Sequence, residues 1–443
     1  MLALSRADAC VVIGRRDSTA NLRWANNTAT TNGVAEEVSL SIVSIMGRRV
    51  ASVTRTHFPA DDLEAMVRES EAACEGKPEA PDFMPLPVST TSVVDWAEPA
   101  GSTDIRIFDG FAHRLAGVFG RARAANLQTF GYGEHQASTT WLASSTGLRR
   151  RHASRIGKVE VTAKTPDFSR SSWGGTVTEA FADVDPDALF DRLQRRLDWS
   201  SRIIALPAGH YQVLLEPSAT ADLAVATYEL MARRDADEGR SPFSSPGGGA
   251  RLGERLFGGL TMYSDPTEPG IGAIPFHSSV DSGSMSSVFD NGLDATRTEW
   301  IEDGYLRALV TPRYWAARAH AGAIPYVDNL IVAGEGPSLE QMVASTKRGL
   351  LVTCFWYIRT VDPQTALMTG LTRDGVFLVE NGEIAGAVNN FRWNMSPIGA
   401  FAQTSEIGRT GMALPREHDE FLRAKAPATR IDDFNMSSVS EAT

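Results

Sequence analysis

The sequence contains few cysteines. Its three thiols, Cys10, Cys74 and Cys354, lie far apart along 443 residues. They cannot form the dense disulfide framework that stabilises small secreted domains. Few and widely separated cysteines are typical of proteins whose thiols stay reduced in a cytosol. The sequence therefore predicts a cytoplasmic location.

Long apolar runs are also missing. No segment approaches the roughly 18 consecutive apolar residues that a membrane-spanning helix requires. The segment Met1–Gly14 has Asp8 within its apolar stretch and no clear small-residue cleavage site, so it does not resemble a signal peptide. We expect a soluble chain without a membrane partner.

The charge balance is acidic. The formal net charge is -11 and the sequence pI is about 5.3, so the field of the whole chain repels phosphate backbones. The densest basic run, Arg149–Arg151 with His152, Arg155 and Lys158, is short and lacks the aromatic residues of a base-stacking surface. We predict no direct nucleic-acid partner and expect this run on a solvated hairpin or loop face.

The pattern of the first half predicts an antiparallel sheet with packed helices. A chain of 443 residues is long enough for two cores. Period-2 segments predict a meander, and helical spacing of apolar residues predicts three helices. The predicted strands are Cys10–Gly14, Val34–Met46 and Arg49–Thr54, and the helices span about Leu63–Cys74, Phe108–Ala122 and Pro186–Leu197.

Strands and glycine turns dominate the second half. A strand at Tyr211–Leu215 and a helix at about Ala219–Arg234, capped by Ser218, are followed by mostly β sequence. The apolar run Leu350–Trp356 predicts one strand buried on both faces, and Asn381-Gly382 predicts a hairpin turn. We therefore predict an α+β fold with domains at 1–202 and 203–424, and a frayed tail at 425–443.

Three successive glycines, Gly247, Gly248 and Gly249, allow a sharp turn or a close backbone approach. A phosphate-binding loop would need a preceding strand, a following helix and a Lys-Ser/Thr ending, which the sequence does not offer. Two interpretations stay open: a flexible surface loop, or a loop that lines a substrate groove.

Two segments resemble the TldD/PmbA family. Lys347–Ile384 ends in DGVFLVENGEI, which is similar to a hallmark of that family. Gly248–Phe257 reads GGARLGERLF and is followed by SDPT at Ser264–Thr267, which resembles the TldE branch. The meander and first helix are also similar to how the family begins. The resemblance implies a mostly β, barrel-like C-terminal domain.

In the TldD branch of this family, a helix carries His-Glu-x-x-x-His and a cysteine near the chain end adds a zinc ligand. Histidines one helical turn apart can share a tetrahedral metal, and the adjacent glutamate can activate metal-bound water. Here the two closest histidines, His135 and His152, are seventeen positions apart. The corresponding helix offers Tyr228, Glu229, Arg233 and Arg234, and two arginines would repel a dication.

The resemblance thus implies a TldE/PmbA-like subunit that binds no cofactor itself. Its peptidase activity on unfolded or precursor peptides would be completed by a zinc-binding, TldD-like partner. Two other classes stay open. The chain could be an independent metal-free enzyme that reuses the family cavity to tailor peptides or natural products, or a binding protein without chemistry.

Other catalytic constellations are weak. His277 lies beside Ser278 and Ser279 with Asp281 just after, but adjacent residues on an extended chain point apart. No nucleophile elbow surrounds them. We expect a loop there, and we expect Cys354 to act as a small buried hydrophobe.

Candidate cavity or interface residues lie in the most family-like segments. They are polar or flexible positions: Gly247, Gly248, Gly249, Arg251, Thr372 and Arg373. A turn in which Arg373 pairs with Asp374 or Asp362 is the alternative reading. No catalytic and no metal-binding residue is predicted.

Overall fold

Two long antiparallel hairpins organise the N-terminal half in the computed structural model, which describes residues 1–88 and 95–441. The six strands form one antiparallel sheet in the order β3-β2-β1-β4-β5-β6. In chain order the elements are β1 (Ala9–Ala25), β2 (Thr28–Met46), β3 (Arg49–Thr56), α1 (Leu63–Ala72), α2 (Asp109–Ala124), β4 (Gln128–Ser144), β5 (Arg149–Lys164), β6 (Ser171–Thr178) and α3 (Pro186–Trp199).

The predicted meander and the three predicted helices are confirmed, but the strands are longer than predicted. The Thr28–Val38 half of β2 is almost entirely exposed, so it carries no apolar alternation that a pattern could detect. Helices α2 and α3 cover one face of the sheet, where Trp24 packs against Phe111 at 6.2 Å between ring centroids. Gly131 is required there, because a Cβ atom would lie 2.0 Å from the Trp24 ring.

The second half forms three further sheets around a larger core. Its elements are β7 (Ile203–Ile204), β8 (Gly209–Leu215), α4 (Pro217–Tyr228), α5 (Arg233–Asp237), β9 (Thr261–Ser264), β10 (Thr298–Glu302), β11 (Tyr305–Leu306), α6 (Arg313–Arg318), β12 (Leu330–Ala333), α7 (Leu339–Ser345), β13 (Arg348–Val352), β14 (Phe355–Asp362), β15 (Leu367–Thr372), β16 (Val376–Glu380), β17 (Glu383–Val388), β18 (Phe391–Met395), α8 (Pro397–Ala402), β19 (Thr404–Ile407), β20 (Gly411–Ala413), β21 (Ala424–Ala426), β22 (Thr429–Met436) and β23 (Ser438–Val439). Short 3-10 turns occupy Leu2–Leu4, Ala60–Asp62, Ile105–Phe108 and Val288–Asp290.

These sheets are open. Their orders are β11-β10-β9-β12-β21-β20, β19-β22-β8-β13-β16-β17-β7 and β14-β15-β18-β23. The α+β fold is confirmed, but the barrel-like arrangement is not found in the described residues, because the two edge strands of each sheet do not pair with each other. The division into domains at 203 stays a prediction, although no strand before β7 belongs to these three sheets.

The predicted frayed tail at 425–443 is wrong for the residues that the structure describes. Strand β22 pairs with both β19 and β8, and Ile431, Phe434 and Met436 are fully buried. A register shift between Ile431 and Phe434 interrupts the period-2 pattern, which is why the sequence appears aperiodic. Residues 442 and 443 lie outside the described residues.

The apolar run Leu350–Trp356 is divided between two strands. Strand β13 ends at Val352 and β14, which belongs to another sheet, begins at Phe355. Cys354 at this break is fully buried, as predicted, and burial raises the pKa of its thiol to about 12. The hairpin at Asn381-Gly382 is confirmed between β16 and β17.

The basic run lies on β5, on the predicted hairpin, but it is only partly solvated. The Arg151 side chain is 5% exposed and forms an ion pair of 2.8 Å with Asp95. The described part of the chain contains no helix with the length and apolarity needed to cross a membrane.

Replacing Phe434 with alanine tests whether the C-terminal segment belongs to the core. Its ring stacks on Phe355 at 5.9 Å and lies 5.7 Å from Trp393. Loss of a buried phenylalanine costs about 3–5 kcal/mol, so we expect the urea unfolding midpoint to fall clearly. Phe168→Ala is the matched control, because that side chain is 57% exposed. Equal midpoints for the two variants would contradict the placement of β22.

Candidate functional site

Helix α4 is surrounded by protein on every side. All residues from Ser218 to Tyr228 are buried. The predicted helix Ala219–Arg234 is too long, since α4 ends at Tyr228 and a separate helix begins at Arg233. Ser218 is not the cap; Pro217 occupies the first turn, and the Ser218 hydroxyl donates to the Leu414 carbonyl instead.

Asp222 is the one carboxylate within α4, and it is fully buried. Its Oδ1 accepts a hydrogen bond of 2.8 Å from the Glu417 amide, whereas no group in the described residues binds its Oδ2. Burial raises the pKa of Asp222 to about 7, although the Glu417 amide and the charge of His418 oppose this. The carboxyl group therefore exchanges its proton near neutral pH.

A cavity of about 380 Å³ opens on the other side of the Glu417–Phe421 segment. It is lined by Glu229, Glu417, His418, Asp419, Glu420 and Phe421. Burial lowers the pKa of His418, but Glu229, with Oε1 3.6 Å from Nδ1, and the charges of Asp222 and Glu417 outweigh burial and raise it. The cavity wall is therefore acidic, with one imidazole that is readily protonated.

The donor set near α4 does not fit a zinc ion. Structural and catalytic zinc sites need three or four converging Cys, His, Asp or Glu ligands. Within residues 1–88 and 95–441, no group of three or more such side chains could hold a metal. Arg233 and Arg234, which follow α4, form ion pairs with Asp237 and Glu238. That this chain binds no cofactor stays a prediction.

Thr372 and Arg373 lie at the end of β15. Thr372 is buried, and its hydroxyl accepts a hydrogen bond of 2.9 Å from the Phe391 amide. Arg373 lies over the Trp356 ring, 5.2 Å from its centroid, and lines a cavity of about 440 Å³. Its Nε is 3.7 Å from Asp374, so the alternative interpretation, a turn in which Arg373 pairs with Asp374, agrees with the structure.

The glycine run forms a tight turn. Gly248 and Gly249 have φ values of +89° and +82°, and the Ser245 amide donates to the Gly249 carbonyl at 2.8 Å. A Cβ atom at Gly247, Gly248 or Gly249 would meet nothing within 4 Å, so these glycines serve the turn and not a close approach. Arg251 pairs with Glu254 at 2.8 Å.

The structure does not join the predicted candidates into one site. No hydrogen bond or ion pair between described residues connects the glycine turn or Arg251 with Thr372 or Arg373. Their role in a cavity or interface stays a prediction. Sequence reasoning missed Asp222 and His418; the one signal was a lone aspartate inside the apolar sequence of α4.

The described residues around His277 do not form a catalytic arrangement. His277 is buried, and its Nε2 lies 3.1 Å from the Ser287 carbonyl. The Ser279 hydroxyl donates to the Asp281 carbonyl instead of facing the imidazole. This arrangement supports the loop interpretation for Ser278–Asp281.

Fold and site together define an α+β protein whose buried central helix carries one carboxylate, Asp222, and no histidine or cysteine. The family model described as the PmbA/TldA metallopeptidase C-terminal domain matches residues 208–438. The chain therefore belongs to the TldD/PmbA/TldE family. Among curated proteins, no sequence matches it.

Three solved structures have the same fold. TldE from Thermococcus kodakarensis aligns with a TM-score of 0.79 and 14% identity, over 97% of this chain and 96% of that chain. A candidate modulator of DNA gyrase from Thermotoga maritima gives 0.76 and 15%, over 96% of both chains. A second such protein, from Bacteroides thetaiotaomicron, gives 0.77 and 13%, over 99% and 96%. At these identities the likeness shows the fold alone.

Asp222→Asn tests the buried carboxyl group. The folded-state pKa of about 7 exceeds the ordinary value of 3.8, so the native chain holds a proton that the unfolded chain releases. The contribution of Asp222 to stability is complete at acidic pH and is lost as the pH rises toward and through 7. One pKa unit corresponds to about 1.4 kcal/mol. We expect the variant to gain stability over the wild type between pH 5 and pH 8, measured by urea unfolding.

The control for this experiment is Asp167→Asn. Asp167 accepts hydrogen bonds from Thr165 and Ser169, which lower its pKa to about 2. Its stabilising effect is present at neutral pH and is lost only in acid, so the control should not gain stability as the pH rises. A stability difference for Asp222→Asn that does not change with pH would contradict a neutral carboxyl group in the fold.

Proposed function

We propose that this chain is a non-catalytic, TldE-like subunit of a heteromeric metallopeptidase. The complex acts on unfolded or precursor peptides in the cytoplasm, and a TldD-like partner supplies the zinc. The observation that carries the proposal is the donor set of α4. Helix α4 lies within the segment that matches the metallopeptidase family model. It nevertheless carries one buried carboxylate, Asp222, and no histidine.

The cavity walls support a peptide-binding role. An extended peptide carries backbone donors and often basic side chains, and the wall formed by Glu229 and the Glu417–Phe421 segment is acidic. Asp419 is already paired with Lys158 at 2.8 Å, whereas Glu229 is 57% exposed and lies beside His418. Glu420 in the same wall is also exposed. Glu229 and Glu420 are therefore the carboxylates most available to a bound cation.

A second candidate function is an independent metal-free enzyme. The closeness of Asp222 and His418 favours it, because general acid–base catalysis is most efficient with groups that titrate near the working pH. However, Asp222 is fully buried, so substrate could reach only His418. Cleavage or tailoring activity of the isolated chain that survives chelator and disappears in His418→Ala would favour this function.

The decisive comparison uses the chain alone, a TldD-like partner alone and the two together, each with an unfolded peptide. We expect cleavage only from the mixture, and we expect a chelator to abolish it, because the metal ligands lie on the partner. Mass spectrometry of the products provides the readout. Chelator-sensitive cleavage by this chain alone would refute the proposal.

Arg373→Ala tests the proposed interface. An arginine that is 28% exposed and stacked on tryptophan is typical of binding hot spots, so we expect the dissociation constant of the complex to rise about tenfold or more. Arg348→Ala is the matched control, because Arg348 is 61% exposed and forms a surface ion pair with Glu380. Biolayer interferometry with the partner chain gives both constants. Unchanged affinity in Arg373→Ala would remove this residue from the interface.

A further inference from the structure

A cavity of about 270 Å³ lies where the N-terminal sheet meets the start of α4. Strand β6 contributes Gly174 and Gly175, helix α3 contributes Arg192 and Arg196, and α4 contributes Pro217 and Ser218. The volume is somewhat below the roughly 300–1,000 Å³ of pockets for drug-sized ligands. A small molecule or the end of a chain would fit.

The cavity contains a guanidinium group without a partner. Arg192 forms no hydrogen bond, ion pair or ring contact with any described residue, and its Nε is buried and unsatisfied. Solvent reaches part of the side chain through the cavity, but protein encloses the rest, and this burial lowers the pKa of Arg192. Arginine nevertheless stays charged at neutral pH, so an unpaired cation faces the cavity.

The first turn of α4 can add backbone amide donors to this cavity. Ser218 lies in the first turn and is buried, and no side chain caps this end of the helix. Amides of the first helical turn have no acceptor within the helix, and the helix dipole places about half a positive charge there. An anion in the cavity could accept hydrogen bonds from this turn and from Arg192.

The other charged groups that line the cavity are already engaged. Arg196 pairs with Glu216 and donates to the Trp173 carbonyl at 2.7 Å. Asp183 accepts a hydrogen bond from Thr178, and Asp185 caps α3 by accepting from the Asp187 amide at 2.9 Å. Arg192 is therefore the lining cation that has no direct partner among the described residues, and the carboxylates of Asp183 and Asp185 disfavour a dianion.

We propose that this cavity binds a carboxylate, either a small free carboxylic acid or the C-terminus of a peptide. The guanidinium fork of Arg192 matches the two oxygens of a carboxylate, and the first turn of α4 supplies the remaining donors. The site is distinct from the acidic cavity at Glu229 and His418. It does not depend on the proposed peptidase partnership.

The test measures the melting temperature of the purified chain at neutral pH, with sodium acetate or sodium chloride at equal ionic strength. A ligand that binds only the folded state raises the melting temperature with its concentration. We expect acetate to stabilise the wild type more than chloride does. We expect Arg192→Met to melt higher than the wild type in chloride, because it removes an unpaired buried charge, and to gain nothing from acetate.

Arg195→Met is the matched control, because Arg195 is the exposed neighbour on the same helix. It should respond to acetate as the wild type does. If Arg192→Met responds to acetate like the wild type, or if the wild type does not distinguish acetate from chloride, the site is refuted. Stronger stabilisation by inorganic phosphate than by acetate would overturn the assignment to a carboxylate.

A second arm separates the two sources of the carboxylate. A short peptide with a free C-terminus is compared with the same peptide amidated at its C-terminus. Stabilisation by the free form alone, lost in Arg192→Met, identifies a chain terminus as ligand. Stabilisation by acetate and by neither peptide identifies a small free acid. Equal stabilisation by both peptides would show binding that does not involve the carboxylate and would contradict the proposal.

Discussion

The burial of α4 is the constraint on which the rest of the structure depends. The helix follows directly from β8 and contacts β12, β20, β21 and α8, so strands from both ends of the second half converge on it. With every residue from Ser218 to Tyr228 buried, α4 has no side that could present ligands to solvent. Chemistry near it must come from its two ends and from the segment that covers Asp222.

The two ends of α4 differ in electrostatic character. At its start, the uncapped first turn and the unpaired Arg192 offer hydrogen-bond donors to an anion. Past its end, Glu229 and the Glu417–Phe421 segment form an acidic wall. The helix dipole contributes to this difference in the same direction, positive at the start and negative at the end. A peptide carries one negative terminus and one positive terminus, and the two environments suit opposite charges. Asp222 lies between them, and burial raises its pKa to about 7.

The sequence predicted those helices and turns that are determined by residues close together in the chain. The amphipathic helix starting at Pro186 and the hairpin at Asn381-Gly382 were recovered because capping and turn chemistry involve neighbouring residues. Strand β22 was missed because its burial depends on pairing with β8, which lies more than two hundred residues earlier. The break at Thr353 also involves a contact that local patterns do not encode, since the Thr353 amide donates to the Gly375 carbonyl at 2.9 Å.

Site residues were harder to predict than the fold. Arg373 and the glycine run are both predicted cavity or interface residues from family-like segments. Arg373 lies on a cavity wall, whereas the glycine run forms an open turn. Asp222, His418 and Arg192 acquire their character from burial and from partners far along the chain, which composition and spacing do not encode. The absence of a closely spaced histidine pair can be read from the sequence. The structure adds that the helix in question is buried and carries a single carboxylate.

Zinc titration calorimetry on the isolated chain tests whether α4 and its surroundings can hold a metal. We expect no saturable heat at neutral pH, because the described residues contain no converging set of ligands around α4. Stoichiometric binding that disappears in Asp222→Asn or His418→Ala would show that the segment covering α4 rearranges into a metal site. The assignment as a subunit without its own metal would then be wrong.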